Sequence, residues 1–248
     1  MIYFVGAGPG DPELLTVKAW RLLQQADLVV YAGSLVPQQV MGCCREDARL
    51  VDSAPLVLED IISLMVEYHG RNQLVVRLHT GDPSIYGAIG EQMEILDKMD
   101  IPYQIVPGVS SFLAAAAAVK REYTVPGGSQ TVIITRLAGR TPVPAEQELS
   151  GLARHRASLA VFLSVGMVEK VRQELLQGYE PNTPVAVVER ASWPEERVCR
   201  GTLQELAQLV ERAGIKRTAL ILVGEFLTSG GRSLLYDAGF EHGYRKEE

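Results

Sequence analysis

Three times within its first 111 residues the chain sets a glycine- and proline-bearing loop directly behind a short apolar run. Ile2–Val5 leads into Gly6-Ala7-Gly8-Pro9-Gly10-Asp11. Leu74–Leu78 leads into His79-Thr80-Gly81-Asp82-Pro83-Ser84-Ile85-Tyr86-Gly87, and Tyr103–Val106 into Pro107-Gly108-Val109-Ser110-Ser111. Apolar runs of this length, separated by helical periodicity, are strands of a parallel sheet covered by helices on both faces. Ligands in open parallel sheets bind beyond the carboxyl ends of the strands, so three such loops are expected to face one crevice.

The rest of the first half fits that pattern. Asp11 reads as an N-cap, with Pro12 at the first helical position and Glu13 in the first turn. Leu14, Leu15, Ala19, Leu22 and Leu23 form the apolar face of one helix behind it. Leu28–Tyr31 reads as a strand; Val57–His69 and Ile89–Lys98 read as helices, and Ser110 to Lys120 is an alanine-rich helix. Around Pro126-Gly127-Gly128 the composition suggests a domain junction. A second α/β unit follows, with strands at Thr131–Thr135, Leu159–Leu163, Val185–Val188 and Ala219–Val223. Its helices are expected at Glu146–His155, Met167–Gln177 and Leu203–Arg212, and Arg197–Gly201 reads as a further strand that makes this sheet mixed. The expected organisation is an α/β domain over residues 1–120, a second over 121–228, and a polar tail over 229–248.

Composition closes other doors. A formal charge of −6 argues against gripping nucleic acid or an anionic membrane surface. The longest apolar run, Phe112 to Val119, is far short of the roughly 18 residues that a membrane span needs. Three cysteines and four scattered histidines have no metal-ligand spacing, so no metal is expected and a reducing cytoplasm is the simplest compartment.

Glycines in the first loop let a ligand approach the backbone, and helix amides behind them favour an anion. A dinucleotide fingerprint fails there, because Asp11 stands where its third glycine would be and Pro9 lacks an amide. The alternative is that the loop is only a tight strand–helix turn.

Taken together, in this order, the Gly6–Asp11 loop, Thr80-Gly81-Asp82-Pro83 and Pro107-Gly108-Val109-Ser110-Ser111 resemble the tetrapyrrole methylases, over nearly the whole chain to about Phe226. A narrower signature resembles the branch acting on a precorrin in vitamin B12 synthesis. It comprises Tyr31-Ala32-Gly33-Ser34-Leu35-Val36, Val51-Asp52-Ser53-Ala54, Arg77–Tyr86, Ser129–Ile133 and Gly139–Pro144. The resemblance implies S-adenosylmethionine (SAM) as methyl donor, held in a cleft between two α/β domains, a tetrapyrrole acceptor and a homodimer. It places Gly8 and Pro9 near the cofactor, Thr80, Gly81, Asp82 and Ile85 around its methionine and ribose, and Ser110 and Ser111 at its amino-acid end. Leu163, Ala191, Thr218, Ala219 and Leu220 match positions that enclose the adenine, although relatives often have methionine and glycine at the first two. Relatives that methylate uroporphyrinogen have an Asp-Arg pair after the second strand and a lysine after the third. Here those stretches read Ala32-Gly33-Ser34 and Asp52-Ser53-Ala54, which argues against that acceptor and leaves the base unassigned.

A flat macrocycle carrying many carboxylates needs cations, with arginine favoured for bidentate pairing. The candidates are Lys120, Arg121, Arg136, Arg140 and Arg190, each of which also reads as an ordinary solvated charge. Arg77, inside an apolar strand, reads as a structural ion-pair partner. His79 is a candidate base or a hydrogen-bonding support, and Tyr86 a candidate for the substrate face or simple packing. Other acceptors on the same fold (another precorrin position, ribosomal RNA or a diphthamide precursor) and a non-enzymatic sensor remain alternatives at this point.

Overall fold

In a computed structural model of the chain, residues 1–33, 35–228 and 230–236 are described. By compactness the chain divides into one unit of Met1–Ala114 with Arg190–Glu196, and a second of Ala115–Glu189 with the chain from Arg197 onward.

In the first unit β1 (Ile2–Gly6), β2 (Leu28–Tyr31), β3 (Arg49–Asp52), β4 (Val75–His79) and β5 (Tyr103–Val106) lie in the order β3-β2-β4-β1-β5. Every neighbouring pair is parallel. The helices are α1 (Val17–Leu23), α2 (Gln38–Met41), α3 (Leu58–Gly70) and α4 (Gly90–Lys98); α5 (Ser111–Val119) runs through the division between the units. The pleat sends alternate residues to opposite faces. Val5, Val29, Val76, Leu78 and Val106 meet Ala19, Leu22 and Leu23 of α1 and Val40 of α2. Ile2, Phe4, Leu28, Val30 and Val75 meet Ile61, Ile62 and Met65 of α3 and Leu96 of α4. Each such side chain taken fully out of water contributes roughly 1.5–3 kcal/mol. With both faces covered in this way, the unit is a doubly wound parallel sheet, as the loop pattern implied.

The second unit has β6 (Val132–Arg136), β7 (Ser158–Phe162), β8 (Pro184–Glu189), β9 (Arg197–Thr202) and β10 (Ala219–Val223) in the order β6-β7-β10-β8-β9. Only β6 and β7 pair in parallel, so the sheet is mixed, with β9 at its edge. Leu159, Val161, Val185, Val187, Ile221 and Val223 form its core with Leu149, Val171, Leu175, Leu206 and Val210 of α6 (Leu149–Ala153), α7 (Val168–Leu175) and α8 (Leu206–Ala213).

Three expected helices are broken. Asp11 caps only a 3-10 turn over Pro12–Leu14, accepting from the Glu13 amide at 2.9 Å. Thr16 then caps α1 separately, accepting from the Ala19 amide at 3.1 Å, because a second capping side chain sits inside the periodic stretch. Glu148 is extended, so α6 starts after a 3-10 turn at Ala145–Gln147 rather than continuing it. A capping box between Thr202 and Glu205 opens a 3-10 turn ahead of α8, and Gly214 at φ 65° closes that helix. The polar tail expected over 229–248 lies mostly outside the described residues, which end on a 3-10 turn at Leu234–Tyr236.

Candidate cofactor and substrate site

β4, β1 and β5 are neighbours, so the loops behind them emerge side by side at one end of the first sheet. From β1 the chain crosses toward β2, and from β4 it crosses the other way to β5. Oppositely directed exits of this kind open a crevice between adjacent strands. Here the loops meet backbone to backbone. Gly8 and Gly81 bridge each other through Gly8 N–H to Gly81 O at 3.2 Å and Gly81 N–H to Gly8 O at 2.8 Å. Both have left-handed φ, +70° and +63°, where any side chain would strain the turn. A Cβ at Gly6 would stand 2.6 Å from the Gly108 Cα and the Gly81 carbonyl oxygen. These glycines let the three loops pack backbone against backbone, in space that side chains at Gly6 or Gly108 would need.

Asp82 ties the second and third loops together. One carboxylate oxygen accepts from the Gly108 amide at 2.8 Å; the other accepts from the Ser84 amide at 2.8 Å and from the Ser84 hydroxyl. Partial burial opposes ionisation, but the Ser84 hydroxyl and the two amides outweigh it and hold the carboxyl below its usual range. Around it Thr80 is exposed, Ile85 half-buried, Ser110 buried and Ser111 half-buried at the start of α5. A Cβ at Gly81 would touch the Ser110 Cα at 3.6 Å, so Ser110 stands against this bridge. Pro9 is buried, and its carbonyl accepts from the Trp193 indole N–H at 2.8 Å.

Two strands over, Asp52 behind β3 accepts from the Gly33 amide at 2.8 Å and the Ala54 amide at 2.9 Å. The Ala54 and Gly33 amides lower its pKa, and a side chain at position 33 would collide with its carboxylate. The stretches that depart from the uroporphyrinogen pattern are thus joined to each other by this carboxylate.

His79 and Arg77 lie on one face of β4, two residues apart. His79 is buried near the Phe4 ring, 6.1 Å between centroids, and its Nε2 has no hydrogen-bond partner among the described residues. Burial, and then the Arg77 charge, push it down to about 3, so it is a neutral imidazole at neutral pH and too weak a base to take a proton. Arg77 is not the ion-pair partner expected from sequence. It donates to the Val30 carbonyl at 3.1 Å and to the Gln92 amide oxygen at 3.4 Å, and among the described residues no carboxylate meets it. Burial pulls its pKa down to about 10. Tyr86 is exposed in the same loop as Asp82, at φ 56°.

In the second unit, Leu163 follows β7 and Thr218 precedes β10. The antiparallel pairing of these strands brings both to the same end of the sheet. Both have left-handed backbone, φ 52° and 56°, which costs a non-glycine residue roughly 1–2 kcal/mol. Leu163 also leaves 69% of itself exposed, while Ala219 is half-buried and Leu220 buried beside them. Strain and an exposed leucine at adjacent strand ends are marks of a binding surface. Ala191 falls in the other unit, with Arg190–Glu196.

Three of the five cationic candidates are already engaged. Arg121 donates to the Leu227 carbonyl at 2.8 Å, and Arg136 to the Thr141 and Pro142 carbonyls at 3.1 and 2.7 Å. Arg190 lies 5.6 Å over the Trp193 ring and 3.8 Å from Glu195. Lys120 and Arg140 are exposed, and their side chains make no ion pair or hydrogen bond among the described residues. Among the described residues no group of three His, Cys, Asp or Glu could hold a metal, and no helix is long and apolar enough to cross a membrane.

A family model for the tetrapyrrole (corrin/porphyrin) methylases matches residues 1–207. The chain belongs to that family. Among tetrapyrrole methylases it is 51% identical to the cobalt-precorrin-4 C(11)-methyltransferase of Methanocaldococcus jannaschii, covering 99% of this chain and 96% of that protein. To the precorrin-4 C(11)-methyltransferase of Pseudomonas aeruginosa it is 49% identical, over 100% and 99%. The solved structure of a cobalt precorrin-4 methyltransferase superimposes with a TM-score of 0.90 at 45% identity, covering 92% of this chain and 96% of that one. The uroporphyrin-III C-methyltransferase of Thermus thermophilus, solved with S-adenosyl homocysteine, gives 0.77 at 34%, covering 91% and 98%. The weaker likeness to this last methylase agrees with the departures at Ala32–Ser34 and Asp52–Ala54.

Proposed function

We propose that this chain methylates C-11 of precorrin-4, or of its cobalt form, in vitamin B12 synthesis, using SAM. The observation that carries this reading is identity of about half over the full length of two relatives named for that reaction. The cofactor supplies a methyl group made electrophilic by its sulfonium. The polar backbone of the three loops, drawn together at Gly8, Gly81 and Gly108, suits its polar methionine end. The exposed Leu163 and the strained Thr218 suit an adenine face.

Such a transfer needs no protein nucleophile, and the chain's task is positioning. The Asp82 carboxylate fixes the second loop to the third, and the Gly8–Gly81 bridge fixes the first to the second. Ser110 and Ser111 offer hydroxyls to the amino-acid end. Lys120 and Arg140 are the cations left to meet carboxylates of the macrocycle. His79, neutral and buried, supports β4 rather than carrying a proton. The working form is a homodimer in the cytoplasm, without nucleic-acid or membrane partners.

The test incubates purified protein with methyl-labelled SAM and either precorrin-4 or cobalt-precorrin-4, and locates the label by carbon NMR. One methyl at C-11 is expected from at least one macrocycle. A label at another carbon, or none from either, overturns the reading. Light scattering should give twice the chain mass of 27.1 kDa; a monomer overturns the dimer.

A further inference from the structure

Between β8 and β9 the chain leaves the second unit, and Arg190–Glu196 joins the first. There it grips the turn behind β1 at three consecutive residues. The Trp193 indole N–H donates to the Pro9 carbonyl at 2.8 Å. The indole ring covers Gly10 so closely that a Cβ at that position would stand 2.1 Å from the Trp193 Cδ1. The Asp11 amide donates to the Ser192 hydroxyl at 3.0 Å. The gripping segment is itself held. Ser192 adopts a left-handed φ of 68°, its amide donates to the Glu196 carboxylate at 2.7 Å, and the Arg190 guanidinium lies 5.6 Å over the indole.

We infer that Trp193 is a positioning residue for cofactor binding: it clamps the Pro9–Gly10 turn in the conformation that receives SAM. The inference rests on the reading that the Gly6–Asp11 loop is part of the cofactor site. A glycine-rich turn is otherwise free to sample many conformations, and ordering it at the moment of binding weakens binding. The clamp orders it beforehand. It also explains why position 10 is glycine although its φ lies outside the left-handed region: the indole occupies the space of any side chain.

The experiment is a double-mutant cycle read by calorimetric titration of S-adenosylhomocysteine and by steady-state kinetics, with thermal midpoints as a control for folding. Trp193→Phe keeps a ring but loses the N–H, and should weaken binding roughly threefold to tenfold, the range of one neutral hydrogen bond. Trp193→Ala should weaken it further. Gly10→Ala should weaken binding as well, because its methyl displaces the indole. Gly10→Ala/Trp193→Ala should bind no worse than Trp193→Ala, since the ring supplies the three nearest contacts of that methyl. In all variants KM for SAM should rise while KM for the macrocycle holds. Additive losses in the double variant, or unchanged binding by Trp193→Ala, overturn the clamp while leaving the cofactor site in place. Parent protein that fails to bind S-adenosylhomocysteine overturns the reading of the loop, and the clamp with it.

Discussion

His79 owes its chemistry to burial more than to its place beside a functional loop. Its folded-state pKa is about 3, against an ordinary value of 6.5. Between those values the unfolded chain binds a proton that the folded chain refuses. Stability from this residue is therefore intact above pH 6.5 and drains away as the pH falls toward 3, by up to ~1.4 kcal/mol per pH unit. Urea midpoints measured from pH 7 to 4.5 should fall steeply in the parent protein and more gently in His79→Leu; parallel slopes would show that the imidazole is not kept neutral. Asp82, with its carboxyl held below the usual 3.8, adds a loss of the same sign only at more acid pH. Its larger role is geometric. Asp82→Ala frees the Gly108 and Ser84 amides, and Asp82→Asn turns an amide donor against one of them. Both should weaken S-adenosylhomocysteine binding by about tenfold or more in calorimetry, each lost charge-assisted bond being worth roughly 1.5–3 kcal/mol. Wild-type affinity in both variants would remove this carboxylate from the cofactor site.

The elements that could be read from sequence are those whose burial left a periodic mark. β1, β4 and β5 are apolar runs followed by glycine loops, so their existence, their parallel pairing and the meeting of the loops behind them were all legible. β3 and α2 were not. Arg49 and Leu50 of β3 are exposed at the sheet edge, and α2 spans one turn, so neither carries an apolar period. Arg77 was misread because its neutral partners, Val30 O and Gln92, are distant in sequence and carry no charge to signal them. The Trp193 clamp joins residues 184 apart, and no local pattern marks it. Strain at strand ends was equally hidden. Leu163 and Thr218 look ordinary in sequence, yet both have left-handed backbone at the same end of one sheet. Leu163→Gly should relieve that strain and raise stability by about 1 kcal/mol, the left-handed penalty less glycine's greater unfolded-state entropy. KM for SAM should rise in the same variant, because the exposed leucine face is lost. A lower thermal midpoint, or an unchanged KM, would show that this leucine is held for packing instead.

At the scale of the molecule, a protein of formal charge −6 is proposed to hold a polycarboxylate, and the two repel each other at long range. Many arginines do not help. Arg45, Arg71, Arg156, Arg172 and Arg197 are each paired with a carboxylate, and Arg121 and Arg136 are committed to carbonyls. Attraction must come from short-range contacts with exposed cations still uncommitted, Lys120 and Arg140 among them. Salt separates the two effects. The Debye length shrinks from about 20 Å near 20 mM to about 6 Å near 300 mM, which weakens exposed charge pairs as well as the long-range repulsion. If short-range pairing dominates, KM for the macrocycle should rise severalfold over that range while KM for SAM moves less. In Lys120→Ala/Arg140→Ala the macrocycle KM should already be high at low salt, and its rise should flatten. A macrocycle KM that falls with salt in the parent protein would mean that net repulsion governs the encounter. An equally steep rise in the double variant would place the decisive cations elsewhere in the chain.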